Sequence, residues 1–327
     1  MNILIVVNSN LSTKTQSFWN KYQELIRSSY PEASIYYPDS YVPQKPEQLE
    51  NYQIIILVGN TPFFSRAINS FFSSLIDQRN GQKIAFLPDT KESAISSNLQ
   101  LPTKVSQQIE VINSQQVTPV DLIRCHFINK DGIPASYLIL NDVLIGVPVL
   151  KLPLFLKAFV QWLRTSSRIS PAKIPHNITL KHNNQVIYEG SYIFAMLLLG
   201  NKITHGPKVY SKARIFRKSF EYIQPNPQPL REYTFSLPNL FSGIGDDTNE
   251  NVFHRQFSEL EVQGIGQENE IIADGNHIGR LPATFTLLPN SIHVISPRIF
   301  SPTKVTWASK FARAQARTPI SNSRTFN

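Results

Sequence analysis

Three short, unbroken apolar runs occupy the first third of the chain, with helically spaced segments between them. Ile3–Val7, Ile54–Val58 and Lys83–Leu87, the last closed by Pro88, predict strands buried on both faces. Phe18, Tyr22, Leu25 and Ile26 predict a helix over Phe18–Ser28. Phe71, Phe72, Leu75 and Ile76 predict another over Ala67–Ile76, and a short one is expected over Val105–Ile112. Strands alternating with helices imply crossover connections and a mostly parallel sheet.

From about Asp121 the pattern changes to short strands broken by turn residues. "YLILNDVLIG", "NITLKHNNQVIYEGSYIFAMLLLGN" and the long stretch from Glu259 to Pro297 read as an antiparallel β domain. Hairpin turns are expected at His182-Asn183-Asn184 and around Gly275-Asn276. The helix-like Leu152–Leu163 and the proline-rich "QPNPQPL" at Gln224–Leu230 interrupt the strands. No repeat period is evident. The expected division is an α/β domain over residues 1–121, an antiparallel β domain over 122–297 and a basic tail over 298–327.

Composition narrows the classes. A chain of 327 residues with 41% hydrophobic residues can bury two cores. Of the net charge of +9, Arg298, Lys304, Lys310, Arg313, Arg317 and Arg324 lie after Pro297 with no acidic residue among them. Such a tail is either a solvated terminus or an attractor for anionic lipid, with nucleic acid the weaker option. Cys125 is the only cysteine, which excludes an intrachain disulfide and a thiolate metal cage. It reads as a small core residue, and a reducing cytoplasm is the natural compartment. "MNILIVVNSN" lacks a basic region ahead of its apolar run and is expected to be a strand rather than a signal peptide. Val143–Leu163 is broken by prolines and lysines, so a transmembrane assignment fails and a soluble or peripheral protein is expected.

Familiar catalytic motifs are missing from the sequence. "GIGDDT" and "GIGQEN" lack the third glycine and the following helix of a dinucleotide fingerprint. The seven histidines form no HExxH-type cluster, so no metal site is assigned, and no G-x-S-x-G supports a serine nucleophile.

What remains is an ordered set of stretches. The chain resembles the diacylglycerol kinase catalytic-domain family, which includes sphingosine kinases and bacterial lipid kinases within an NAD kinase-like superfamily. "VVNSN" resembles the family's first strand ending in Asn-Pro, and places Asn8 there. "ILVGNTPFFSRAIN" occupies the place of V-G-G-D-G-T-x-x-E-x-x-N, and "IAFLPDTKES" that of I-P-x-G-T-x-N. "VTPVDL" resembles the step into the second domain, and "LILNDV" resembles the NAD kinases. "IIADGNHIGRLPATFTLLPNSIHVISP" resembles the strand-turn-strand around D-G-E and the L-P-x-x-F segment after it. The resemblance spans Met1–Pro297. It implies an α/β nucleotide-binding domain followed by a β-sandwich, and ATP- and magnesium-dependent phosphorylation of a lipid hydroxyl. Asn8, Gly59, Asn60, Thr61 and Thr90 would then hold the nucleotide, and Asp274 would be catalytic.

The departures fall on that chemistry. In the family loop, glycines let backbone N–H groups approach phosphate. Here Gly59 is followed by Asn60, Thr61, Pro62 and Phe63. Pro62 has no N–H and biases Thr61 toward extended backbone; Thr61, in the aspartate position, carries no charge for a metal. In D-G-E, Asn276 replaces the glutamate, and an amide cannot serve as a base. Asp274 itself is equally well read as a hairpin-turn aspartate. Two functions stay open: a lipid kinase of lost or reduced activity, and a non-catalytic lipid- or partner-binding module needing no cofactor, with a basic tail for membranes. The sequence leaves a homodimer open.

Overall fold

The computed structural model describes residues 2–8, 13–40, 42–72, 81–91, 93–129, 131–146, 177–192, 194–204, 206, 209, 215, 217–225, 252–265 and 269–297. The expected helix at Leu152–Leu163, "GIGDDT", nearly all of the proline-rich excursion and the basic tail lie outside these residues.

The three apolar runs are strands β1 (Ile3–Val7), β3 (Ile54–Gly59) and β4 (Lys83–Pro88), joined at one edge by short β2 (Ser34–Tyr36). They pair in parallel in the order β2-β1-β3-β4. Their side chains alternate between two cores, which explains why each run is apolar throughout. On one face, Leu4, Val6, Ile55, Leu57 and Phe86 pack with Phe63, Phe64, Ala67, Ile68 and Phe71 of α2 (Thr61–Phe72). On the other, Ile5, Val7, Ile56, Val58 and Leu87 meet Trp19 and Ile26 of α1 (Thr13–Ser29) and Ile109 and Ile112 of α3 (Val105–Ser114).

Two helices begin earlier than expected. The first turn of α1 carries mostly exposed polar residues and so has no apolar period to read. In α2, Thr61 is helical rather than extended: Pro62 lies in the first turn, where a missing N–H costs nothing, and Asn60 supplies the cap.

The remaining strands are antiparallel to one another. β5 (Val117–Ile128) pairs with β6 (Pro134–Ile139) and with β15 (Asn276–Ile295); β7 (Asp142–Ile145) lies between β10 (Ala195–Leu198) and β14 (Glu270–Ala273). β8 (Asn177–His182) and β9 (Gln185–Ser191) form a hairpin, and β8 also pairs with β13 (Glu259–Ile265). β11 (Phe220–Pro225) and β12 (Val252–Phe257) extend the β10 side.

β15 connects the halves. Its end, His293 and Val294, pairs in parallel with Lys83 and Ile84 of β4, while its body runs against β5, β13 and β14. The residue 121 boundary falls inside β5, where the buried Asp121 carboxylate accepts from the N–H groups of Lys218 (2.7 Å) and Asn290 (2.8 Å).

Both expected hairpins form. Asn183 and Asn184 turn between β8 and β9 at φ 51° and 60°, and Asp274 and Gly275 turn between β14 and β15 at 49° and 79°. Positive φ at both central residues defines a type I′ turn, which Asn-Asn and Asp-Gly favour. Among the described residues no helix is long and apolar enough to cross a membrane.

Candidate functional site

The carboxyl edge of the parallel strands is where an open α/β sheet places a ligand. Asn8, Gly59 and Asp89 line up there: Asn8 N–H donates to Val58 O (3.0 Å) and Asp89 N–H to Gly59 O (2.8 Å). Thr90 follows Asp89, and Thr61 opens α2. The sheet thus gathers all five residues that the resemblance assigned to a nucleotide.

Their local geometry does not suit a triphosphate. A Cβ built on Gly59 would lie 2.9 Å from Phe63 Cδ1 and 3.1 Å from Asn8 Cβ. Phe63, 1% exposed, therefore covers the backbone that a glycine-rich loop would offer to phosphate. Two of the amide groups opening α2 are also committed. Asn60 Oδ1 accepts from Phe63 N–H (3.1 Å), Asn60 O accepts from Phe64 N–H (3.0 Å), and Pro62 has none. Thr61 is buried, its hydroxyl 3.4 Å from Ser93 Oγ. These residues do not fit ATP with magnesium, and among the described residues no cluster of His, Cys, Asp and Glu could hold a metal ion.

Asp274 lies one helical turn beyond Thr61 on the α2 face. Its side chain is fully buried and takes four hydrogen bonds: Oδ2 from Ser65 Oγ (2.7 Å) and Leu140 N–H (2.7 Å), Oδ1 from Asn141 N–H (2.8 Å) and Asp142 N–H (3.0 Å). Every strong acceptor direction is in use. Burial raises its pKa above the ordinary carboxylate value, and the four donors work against that rise. Neighbouring Asp142 is also raised, first by burial and then by the charge of Asp274; Thr204 and Asn141 oppose this with hydrogen bonds to its Oδ1. Two buried carboxylates so close favour holding a proton between them. Asp274 stitches β7 to the β14–β15 turn, and its four donors leave it no lone pair for an acceptor hydroxyl.

Asn276, standing where D-G-E has its glutamate, is equally engaged. Its Oδ1 accepts from Arg66 Nη1 (2.7 Å), and its Nδ2 donates to Pro62 O (3.0 Å) and Tyr137 Oη (3.3 Å). Laid on V-G-G-D-G-T-x-x-E-x-x-N, Arg66 occupies the glutamate position and Asn69 the final asparagine. Two positions that resemble glutamates thus hold a buried arginine and an amide bonded to each other. Asn69 pins α2 to β6, with Nδ2 donating to Leu138 O (2.7 Å) and Oδ1 accepting from Leu138 N–H (2.7 Å).

The sequence pointed to Asp274 and Asn276 but not to Ser65, Arg66 and Tyr137 as their partners, nor to Thr204 as the partner of Asp142. Pattern spacing carries no signal for contacts made across 62 to 210 residues. Cys125 is fully buried and its thiol pKa is pushed up by burial, as a core residue's should be.

No protein-family model matches the chain. Its fold is that of the NAD kinase-like proteins: yeast NADH kinase solved with NADH superposes with a TM-score of 0.55 at 10% identity, over 100% of this chain and 90% of that one. Within that class the likeness is to diacylglycerol kinases. A structure of a diacylglycerol kinase from Bacillus anthracis str. Sterne superposes with a TM-score of 0.66 at 15% identity, covering 91% of this chain and 97% of the other. In sequence, a diacylglycerol kinase of Staphylococcus haemolyticus is 22% identical over 251 residues, which are 76% of this chain and 72% of that protein.

Proposed function

We propose that this is a diacylglycerol kinase-like protein in which phosphoryl transfer to a lipid hydroxyl is lost or strongly reduced. The observation that carries the reading is the Asp274 carboxylate, fully buried and saturated by Ser65 and three backbone amides. A base must reach the proton it removes, and one with all acceptor directions filled cannot. The Phe63 ring over Gly59 and the Arg66–Asn276 bond support the same conclusion. Loss of each electrostatic partner costs about a hundredfold or more, so three changes together leave little rate.

The reading includes a two-domain layout, residues 1–121 and 122–297, with the second as a β-sandwich. The test is the full-length protein with ATP, magnesium and diacylglycerol, ceramide or a long-chain base. Product no greater than the protein-free background is expected, as is an unchanged melting temperature with magnesium-ATP. A ligand at a hundredfold excess over its Kd would add about 2.7 kcal/mol and be visible. Turnover well above background on any of the three acceptors overturns the reading.

A second reading rests on the tail, whose six basic residues have no acidic neighbour after Pro297. In it, the protein is a non-catalytic lipid- or partner-binding module at the cytoplasmic membrane surface, each tail cation contributing about 1 kcal/mol near anionic lipid. Sedimentation with phosphatidylserine vesicles tests it, and equal binding by a chain ending at Pro297 removes the tail from the account.

A further inference from the structure

Residues 199–204, which follow β10, run as irregular backbone past the two buried carboxyls and are tied to them at both ends. At one end Leu199 N–H donates to Asn141 O (2.9 Å). At the other, Asp142 Oδ1 accepts from Thr204 N–H (3.1 Å) and from the Thr204 hydroxyl. Between the ends, Lys202 O accepts from Asn141 Nδ2 (2.9 Å), which also donates to Asp142 Oδ1 (2.6 Å). The segment is therefore a strap buckled onto the first residue of β7 and the one before it.

The strap also touches the amino-terminal half of the fold. Buried Gly200 lies against Asn98, the last residue of the short helix Ala94–Asn98 that follows β4. A Cβ built on Gly200 would run into the Asn98 side-chain amide, so this approach requires glycine. Asn98 Nδ2 in turn donates to Asn141 Oδ1 (2.5 Å). The strap, the helix after β4 and the start of β7 thus share one set of hydrogen bonds, and Asp142 sits at its end.

This buckle has an electrostatic weakness. Asp142 and Asp274 are both buried, and among the described residues no Lys, Arg or His is bonded or ion-paired to either carboxyl. The charged or titratable residues on the elements packed around them make other contacts. Arg66 of α2 is bonded through Nη1 to Asn276 Oδ1, Tyr137 Oη of β6 lies 3.1 Å from Ser65 Oγ, and Lys202 of the strap meets Asn141 through its carbonyl. The register neighbours contributed by β10 and β14, Leu198 and Ala273, do not titrate. One negative charge is met by the four donors of Asp274, but a second has no counterion and must regain water. The Asp274 side is closed by α2 and β7, whereas Asn201 and Lys202 of the strap are half-buried, so the path to water runs through the strap. The pKa of Asp142, pushed up to about 7 by burial and then by the charge of Asp274, brings that second charge within reach of neutral pH.

We propose that Asp142 and Asp274 form a proton-operated catch: while they hold a proton the strap 199–204 stays closed over Asn98 and β7, and when the proton leaves, Asp142 takes up water and the strap loosens. The catch does not depend on whether the protein transfers phosphate. Hydrogen exchange of the full chain at pH 5.5 and pH 8, each rate divided by the intrinsic chemical rate at that pH, tests it. The amides of Leu199 and Thr204 are expected to lose about tenfold or more of their protection at the higher pH, while those of β1 and β3 keep theirs. Asp142→Asn, whose amide cannot ionise, is expected to keep the strap protected at both pH values. Gly200→Ala, which drives Asn98 away from Asn141, is expected to leave the strap unprotected already at pH 5.5. A parent strap equally protected at both pH values overturns the proposal without recourse to any variant. A pH-dependent loss that persists in Asp142→Asn, or a Gly200→Ala strap as protected at pH 5.5 as the parent's, overturns it as well.

Discussion

Asp274 and Asp89 each follow a strand, and each accepts a hydrogen bond from a hydroxyl on a neighbouring helix, Ser65 of α2 or Thr15 of α1. There the likeness ends. The carboxylate at the β14–β15 turn collects three backbone amides as well and has no exposure, whereas the one after β4 keeps a buried oxygen unbonded beside a cavity. The difference teaches that a carboxylate's chemistry is set by its supply of donors more than by its position in a motif. The carboxylate matching D-G-E is filled by the fold's own donors, and the one after β4 is not.

Removing the saturated carboxylate is the strongest way to break this contrast. Asp274→Ala would strand the amides of Leu140, Asn141 and Asp142 in the interior. A loss of about 3–5 kcal/mol is expected in urea unfolding, since each buried donor left unmet costs about 1–3 kcal/mol and the effects overlap. If the loss is under about 1 kcal/mol, the network does not hold the turn.

The paired carboxylates make the same region sensitive to pH. The pKa of Asp142 is pushed up to about 7, so the folded protein holds a proton that the unfolded chain releases in the ordinary carboxylate range. Its contribution to stability is complete below that range and is lost as pH rises toward 7, by up to about 1.4 kcal/mol per pH unit. Asp142→Asn should flatten this slope in urea midpoints taken from pH 4 to 7. Parent and variant curves that run parallel would refute it.

A smaller effect is expected at the loop. Gly59→Ala forces a methyl group against Phe63 Cδ1 and Asn8 Cβ, and overpacking of this kind costs about 1–3 kcal/mol. In a Phe63→Leu background the same methyl should cost less, and additive losses in the double variant would show that the ring is not what fills the space. The least effect belongs to the open side. Asp89→Ala forfeits one hydrogen bond from Thr15 and should change stability by no more than about 1 kcal/mol. A larger loss would make Asp89 a second staple and erase the contrast.

Much of the fold was legible because it rests on short-range rules. The runs at Ile3, Ile54 and Lys83 are apolar on both sides because helices cover both faces, and the Asn-Asn and Asp-Gly turns follow from positive φ. The start of α2 was not legible. Pro62 reads as a breaker until one sees that Asn60 caps the helix immediately before it. The site was half legible for a similar reason. Asp274 and Asn276 stand out by their place in the chain, but what they do depends on amides and an arginine brought near by sheet register. The Asp89 cavity had no signal in the sequence, since an unmet oxygen is visible only in three dimensions.

β15 has a consequence for how the protein is made. Synthesis runs from the amino terminus, so β1, β3 and β4 leave the ribosome about two hundred residues before His293 and Val294, which close the flank of β4. Until then a buried-type strand offers a free row of amides and carbonyls to any passing polypeptide. A nonsense codon anywhere before β15 would therefore strand the amino-terminal unit half-zipped, and a chaperone would have its first client surface there.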